Sequence, residues 1–234
     1  MYRKNKESNM NYKAIGIAGF QRPKNMLLNV MIGEHIIPNN LPPEVLVRIN
    51  CGLEPQIQLI TNKGSIINIP AEGIKDFYDS HGDEDAVSEI CICYPCWFCG
   101  AKMNIIGIPE ADFDTESGVM VREILPYLSG FVMIISADRP LSEANVNLLQ
   151  DALFKIDLKR WVILITKMDI IPSEAWERTW EAIKKRLSVI LLNKVSETYS
   201  IGSEEYEKIR AEIDEIVMFP VSPTNFLMAV DAWK

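Results

Sequence analysis

Five short apolar runs constrain this chain more than any other feature: KAIGIAG (13–19), MNIIGIP (103–109), GFVMIISA (130–137), RWVILIT (160–166) and IVMFPVS (216–222). Each has the length of a strand and lacks the polar alternation of a half-solvated one. Between and after them stand segments of helical periodicity: KNMLLNVMIG (24–33), GVMVREILPYL (118–128), LSEANVNLLQDALFKI (141–156), SEAWERTWEAIKKRLSVILL (173–192) and NFLMAVDAW (225–233). Apolar strands alternating with amphipathic helices specify an α/β fold, a mostly parallel sheet with helices on both faces.

The remaining stretches fit around that frame. EVLVRIN (44–50) and AVSEICICYP (86–95) read as strands, and QIQLITNKGSIINIP (56–70) as a hairpin turning at Asn62-Lys63-Gly64. AEGIKDFYDS (71–80) reads as a short helix, HGDED (81–85) as an acidic turn and SEEYEKIRAEID (203–214) as a charged, solvated helix. Gly33 suits a left-handed C-cap, Ser173 is placed as an N-cap, and Pro126 falls near a helix end. Residues 1–12 are polar and read as a flexible terminus, leaving 13–234 as one domain. Ligands of such sheets bind beyond the carboxyl ends of the strands, and every motif below sits at such an end.

A formal charge of -8 provides no basic surplus for neutralising phosphates, which argues against nucleic acid as a partner. No apolar run approaches the ~18 residues needed to span a bilayer, so direct membrane insertion is not expected. No secretory signal is visible, and five cysteines, an odd number, suit a reducing compartment. The expected location is the cytoplasm.

AGFQRPKNMLLNVMIG (18–33), IIPNNLPPEVLVRI (36–49), YPCWFCGAKMNIIGIPE (94–110), FVMIISADRPLSEANVNLLQ (131–150), RWVILITKMDII (160–171) and VMFPVSPTNFL (217–227) occur in a fixed order. Together they resemble the GTPase domain of the dynamin family, especially its bacterial members, across nearly the whole chain. The resemblance implies a three-layer P-loop GTPase-like fold. It places Arg22, Lys24 and Asn25 at the phosphate site, and Thr166, Lys167, Asp169 and Ser222 at the guanine site. The neck and stalk helices of dynamin relatives are not expected within these residues.

The departures from the family pattern fall on the chemistry. A phosphate loop works because glycines let successive N–H groups converge on the anion. Here Ala18 aligns with the first motif glycine and Pro23 with the glycine before the lysine, and proline removes an N–H donor. Asn25 replaces the Ser/Thr hydroxyl that holds Mg²⁺. No threonine falls within Pro42-Pro43-Glu44, where the family's metal-binding threonine belongs. The family's D-T-P-G becomes Gly107-Ile108-Pro109-Glu110, which lacks the aspartate that holds the metal through water. Thr166-Lys167-Met168-Asp169 preserves the guanine motif: Asp169 is positioned to accept from guanine N1 and N2, with Lys167 along the ring. Pro223, after Ser222, offers no N–H to guanine O6.

Two other features compete for a function. Cys91, Cys93, Cys96 and Cys99 crowd one segment, and Cys96-Trp97-Phe98-Cys99 has redox-motif spacing. As a metal site the group is unconventional, because ligand pairs normally come from two elements; burial as small apolar residues is the simpler reading. Trp176, Trp180 and Ile183 share helical spacing and read as a core stripe. His35 and His81 fall in loops and read as solvated.

The resemblance and its departures together lead to a dynamin-like pseudo-GTPase domain, expected as a non-hydrolysing structural or interaction module; any activity it had would be GTP hydrolysis. No cofactor is expected, and GTP and Mg²⁺ are expected to bind weakly if at all. Family GTPase domains pair across their nucleotide faces, so the expected partner is a second copy or another dynamin-like protein. The alternatives are a slow GTPase with an altered phosphate loop and a cysteine-based metal or redox protein.

Overall fold

A computed structural model describes residues 12–70, 73–80, 86–112, 114–139, 141–225 and 228. The strands are β1 (Lys13–Gly19), β2 (Leu46–Cys51), β3 (Gln56–Thr61), β4 (Ile66–Ile69), β5 (Val87–Tyr94), β6 (Met103–Gly107), β7 (Gly130–Ser136), β8 (Trp161–Thr166) and β9 (Val217–Val221). The helices are α1 (Gln21–Ile32), α2 (Gly73–Ser80), α3 (Glu116–Ile124), α4 (Glu143–Ala152), α5 (Ser173–Ser196) and α6 (Glu204–Asp214).

The nine strands form one sheet in the order β4-β3-β5-β2-β6-β1-β7-β8-β9. The half built from β6, β1, β7, β8 and β9 is wholly parallel. Beyond it, β2 runs antiparallel to β6, β5 parallel to β2, and the β3–β4 hairpin antiparallel to β5. The expectation of a mostly parallel sheet holds for the core, and the extension through β2–β5 is mixed.

Alternation along each strand explains the layers. Ile17 belongs to one core cluster and Ala18 to the other; the same holds for Val47 and Leu46, and for Ile105 and Ile106. Neighbouring residues of a strand point to opposite faces, so every central strand supplies both cores. Leu28 and Ile32 of α1 and Ile74 and Phe77 of α2 cover one face. Val121 and Ile124 of α3, Leu148 and Leu149 of α4, Leu187 and Leu191 of α5, and Ile213 of α6 cover the other. This is a three-layer α/β fold.

Helix starts follow the local chemistry. The hydroxyls of Thr115, Ser142 and Ser203 accept from the N–H groups of Gly118, Asn145 and Tyr206, capping α3, α4 and α6. Ser173 is not the N-cap of α5: Pro172 holds that position, and the Ser173 hydroxyl donates to Glu174 within the first turn. Gly33 terminates α1 in the left-handed region, at φ 85°. Trp180 and Ile183 pack on the core as expected, but Trp176 is exposed and stacks on Trp180 with ring centroids 5.4 Å apart. α4 ends at Ala152, short of the expected Ile156. Residues 81–85 with His81, expected as an acidic turn, residues 1–11 of the expected flexible start, and most of the segment expected as a last helix lie outside the described residues. Among the described residues no helix is long and apolar enough to cross a membrane.

Candidate functional site

The stretch that aligns with a phosphate loop is the first turn of a helix. α1 begins at Gln21 rather than at Lys24, and the Lys24 N–H donates to the Phe20 carbonyl at 3.0 Å, an ordinary i to i−4 bond. Residues 20–24 contain no glycine to hold an open loop, and Pro23 sits in the first turn, where its missing N–H breaks no helical bond. The one glycine at the end of β1, Gly19, has φ 127°, and a Cβ there would stand 2.4 Å from the Ile134 carbonyl oxygen. It serves the tight exit from the strand.

The side chains of that turn face inward. Lys24 and Asn25 have 0% exposure, whereas Arg22 is exposed, so the three predicted phosphate-site residues do not converge on one open surface. The Lys24 ammonium nitrogen donates to the Ile108 carbonyl at 2.6 Å. Burial pushes its pKa down to about 7, opposed by the nearby Glu110 carboxylate. Asn25 Nδ2 donates to the Pro38 carbonyl at 2.9 Å, and its Oδ1 is buried without a partner among the described residues.

The segment before β2 is fastened over the same helix end. Gln21 Nε2 donates to the Leu41 carbonyl at 3.1 Å, and the Glu110 N–H donates to the Pro43 carbonyl at 2.9 Å. Two turns further along α1, Asn29 Oδ1 accepts from the Ile36 and Ile37 N–H groups while its Nδ2 donates to the Ile37 carbonyl. Glu110 in turn accepts from Ser142 Oγ at 2.5 Å and Asn145 Nδ2 at 3.0 Å. The loop after β6 is thereby tied to the start of α4.

Gly107 explains how α1 comes so close. A Cβ at this position would meet Leu28 Cδ1 at 2.7 Å and Val47 Cβ at 3.3 Å. The family motif puts an aspartate here; in this chain Leu28 of α1 occupies that space.

Of the predicted guanine-side residues, Asp169 and Ser222 meet, while Thr166 and Lys167 are bonded to other partners. Thr166 is buried at the end of β8 and its hydroxyl donates to the Ile135 carbonyl at 3.3 Å. Lys167 takes the left-handed conformation, φ 63°, and its ammonium pairs with Asp138 at 2.5 Å. That contact, with the Ser136 hydroxyl, holds the Asp138 carboxyl below the usual range. Asp169 Oδ2 accepts from Ser222 Oγ at 2.9 Å and from Asn225 Nδ2 at 3.3 Å, joining the β8 and β9 loops. The Arg139 guanidinium lies over the Phe20 ring, 3.6 Å from its centroid.

The cysteine group is arranged differently from its spacing. Among the described residues no cluster of three or more Cys, His, Asp or Glu is placed to hold a metal. The Cys91 thiol donates to Glu89 Oε1, Cys96 is buried beneath a short 3₁₀ turn (Trp97–Ala101), and all five cysteines are unpaired. Cys51, distant in sequence, reaches the Cys99 thiol.

Sequence reasoning missed Gln21, Glu110 as a hub, Ser142, Asn145, Asp138 and Asn225. Their roles depend on partners from 20 to 56 residues away, which no local pattern shows.

Strand order, the α1 end at β1 and the T-K-x-D loop at β8 define a P-loop GTPase-type three-layer fold. Within that class the chain has the fold of a dynamin-like GTPase domain. Two solved chains from an oligomerised bacterial dynamin pair, which provides a mechanism for long-range sensing and tethering of membranes, each superpose with TM-score 0.70 and 15% identity. They cover 95% of this chain, which spans 34% and 41% of theirs. The uncharacterized protein in the xynA 3′ region of Caldicellulosiruptor sp. (strain Rt8B.4) is 24% identical over 170 residues, 70% of this chain and 42% of that protein. The chain thus spans less than half the length of each of these relatives. No protein-family model matches it.

Proposed function

We propose that this chain is a dynamin-like pseudo-GTPase module that does not hydrolyse GTP and works through protein partners. The observation that carries the reading is Lys24: it stands in register with the phosphate-loop lysine, yet it is wholly buried and bonded to the Ile108 carbonyl. A triphosphate would have to unwind the first turn of α1 and expose that amine before contacting it.

The donor set does not fit Mg²⁺. This ion demands near-octahedral oxygen ligands, usually one or two carboxylates with waters. Asn25 Oδ1 has no partner among the described residues and offers a single neutral oxygen, while Glu110, the carboxylate that acts on Lys24, is already bonded to Ser142 and Asn145. Phosphoryl transfer relies on metal and donors to neutralise developing charge, so loss of this set supports loss of turnover.

The proposed partner is a second copy of the chain or another dynamin-like protein, docked through the face that carries α1, the 108–110 loop and the β8 loop. Similarity in fold to chains from an oligomerised dynamin pair supports this. Titration with fluorescent GTP and Mg²⁺, turnover assays and sedimentation of the chain test the reading together. The expected result is no turnover. Steady GTP hydrolysis that disappears in Lys24→Ala would overturn it.

A second reading, slow GTP binding and hydrolysis with an altered phosphate loop, is favoured by the retained T-K-x-D stretch and the Asp169–Ser222 contact. Asp169 and Ser222 are hydrogen-bonded across the β8 and β9 loops, while Thr166 and Lys167, just before them, are bonded to Ile135 and Asp138. GTP binding that is lost in Asp169→Asn would favour it.

A further inference from the structure

A cavity of about 550 Å³ opens between the end of β7, the segment leading into α4, and the first half of α5. It adjoins the β8 side described above, sharing Ser136, Asp138 and Arg139 with it, but none of Lys24, Asn25, Thr166, Lys167, Asp169 or Ser222 lines it. The sequence of α5 shapes it. Ala175, Arg178, Thr179, Ala182, Ile183 and Arg186 follow three- and four-residue steps and so share one helix face. The two alanines withdraw side-chain volume from the side facing β7, where Ile135, Leu141 and Leu187 supply an apolar floor.

The charge on this wall is one-sided. Arg178 and Arg186 are exposed, eight residues or about 12 Å apart along the helix. Among the described residues neither has a carboxylate within ion-pair distance. The acidic residues of the same helix, Glu174, Glu177 and Glu181, do not line the cavity. Its one lining carboxylate, Asp138, is already held by Lys167 and Ser136. Arg139, also in the lining, is engaged with Phe20. Two uncompensated guanidinium groups therefore flank a ligand-sized apolar hollow in a chain of net charge -8.

We propose that this cavity binds a small organic anion, with its apolar body against Ile135, Leu141, Ile183 and Leu187 and its anionic group between Arg178 and Arg186. The volume lies within the range of small-molecule sites. Guanidinium forks match carboxylate, phosphate and sulfonate oxygens. The proposal holds whether or not nucleotide binds at α1.

Calorimetric titration of the full chain with 8-anilinonaphthalene-1-sulfonate tests it, beside N-phenyl-1-naphthylamine, the same apolar body without the sulfonate. One-to-one binding is expected, with the sulfonate preferred by about tenfold or more. Arg178→Gln/Arg186→Gln should remove that preference without changing the thermal midpoint, because both positions are exposed. Ala182→Phe should fill the hollow and weaken both probes. Equal affinity of the sulfonate for the wild type and the double variant would overturn the proposal. If Ala182→Phe does not fold, the arginine pair alone decides, since its substitution leaves the core untouched.

Discussion

Lys24 and Ile108 are joined by a hydrogen bond of 2.6 Å from the lysine ammonium to the backbone carbonyl, inside a region where the lysine has no exposure. The two residues are 84 positions apart, one at the start of α1 and one just beyond β6. In a phosphate-binding site these elements stand on either side of the anion. Here the protein's own carbonyl takes the lysine, and Glu110, two residues on, secures the loop to α4. The gap between the elements is closed by protein.

The pH dependence of stability follows from that burial. Lys24 has a pKa of about 7 in the folded chain against 10.5 for an ordinary lysine. Between these values the unfolded chain holds a proton that the folded chain has released, so this group makes stability rise with pH. The slope is about 1.4 kcal/mol per pH unit. Below pH 7 both states are protonated and the full penalty of the buried charge remains. Lys24→Met abolishes the titration, so its stability advantage over wild type should shrink by that slope between pH 7 and 8.5. Urea midpoints at several pH values check it; parallel curves for the two proteins would contradict it.

Restoring the family aspartate should harm this chain. In Gly107→Asp the new Cβ meets Leu28 and Val47, and the carboxylate enters a buried site. Overpacking alone costs roughly 1–3 kcal/mol, and an unpaired buried charge adds to it. The expected outcome is a large drop in urea midpoint with no gain of Mg²⁺-dependent GTP turnover. An unchanged midpoint would mean that α1 moves aside easily.

Asp169 is exposed, and Ser222 and Asn225 both donate to the same one of its oxygens, Oδ2. Asp169→Asn keeps the shape, so stability should change by less than about 1 kcal/mol. Any preference for guanine over adenine nucleotides should vanish, because an amide cannot accept at both carboxylate oxygens. Competition between fluorescent GTP and ATP reads this out.

Thiol chemistry should be slow in the native chain. Burial pushes Cys51, Cys91 and Cys96 up to about 12, with Cys99 adding to the effect at Cys51 and Glu89 at Cys91. The thiolate is the reactive form. At pH 8 these three should react with a disulfide reagent about a hundredfold or more slower than in urea. Rapid native reaction at Cys96 would contradict the arrangement around the 3₁₀ turn.

Much of the frame was legible in residue order. The apolar runs at 103–109, 130–137 and 160–166 became β6, β7 and β8 within a few residues, and Gly33 capped α1, because period and capping are local properties. Ser173 was misplaced as a cap because Pro172, with its fixed φ, begins the helix one residue earlier. The start of α1 was misplaced for a related reason. Aligning the stretch to a loop hid the fact that Gln21-Arg22-Pro23 is acceptable helix sequence once glycine is absent. The cysteines misled by proximity, since Cys91 lies two residues from Glu89 on one face of β5, and the turn after β5 brings Cys99 to Cys51 at the end of β2.

The sequence by itself determined the alternation of strands and helices, the missing phosphate-loop glycines and the intact T-K-M-D. Those are facts of composition and period. Only the tertiary structure decided what replaces the missing site. That Lys24 is buried against Ile108, that Leu28 fills the space beside Gly107, and that Glu110 answers to Ser142 and Asn145 all depend on contacts across the fold. Such contacts form between residues far apart in the chain, when a helix settles on a sheet at a distance set by a single absent side chain.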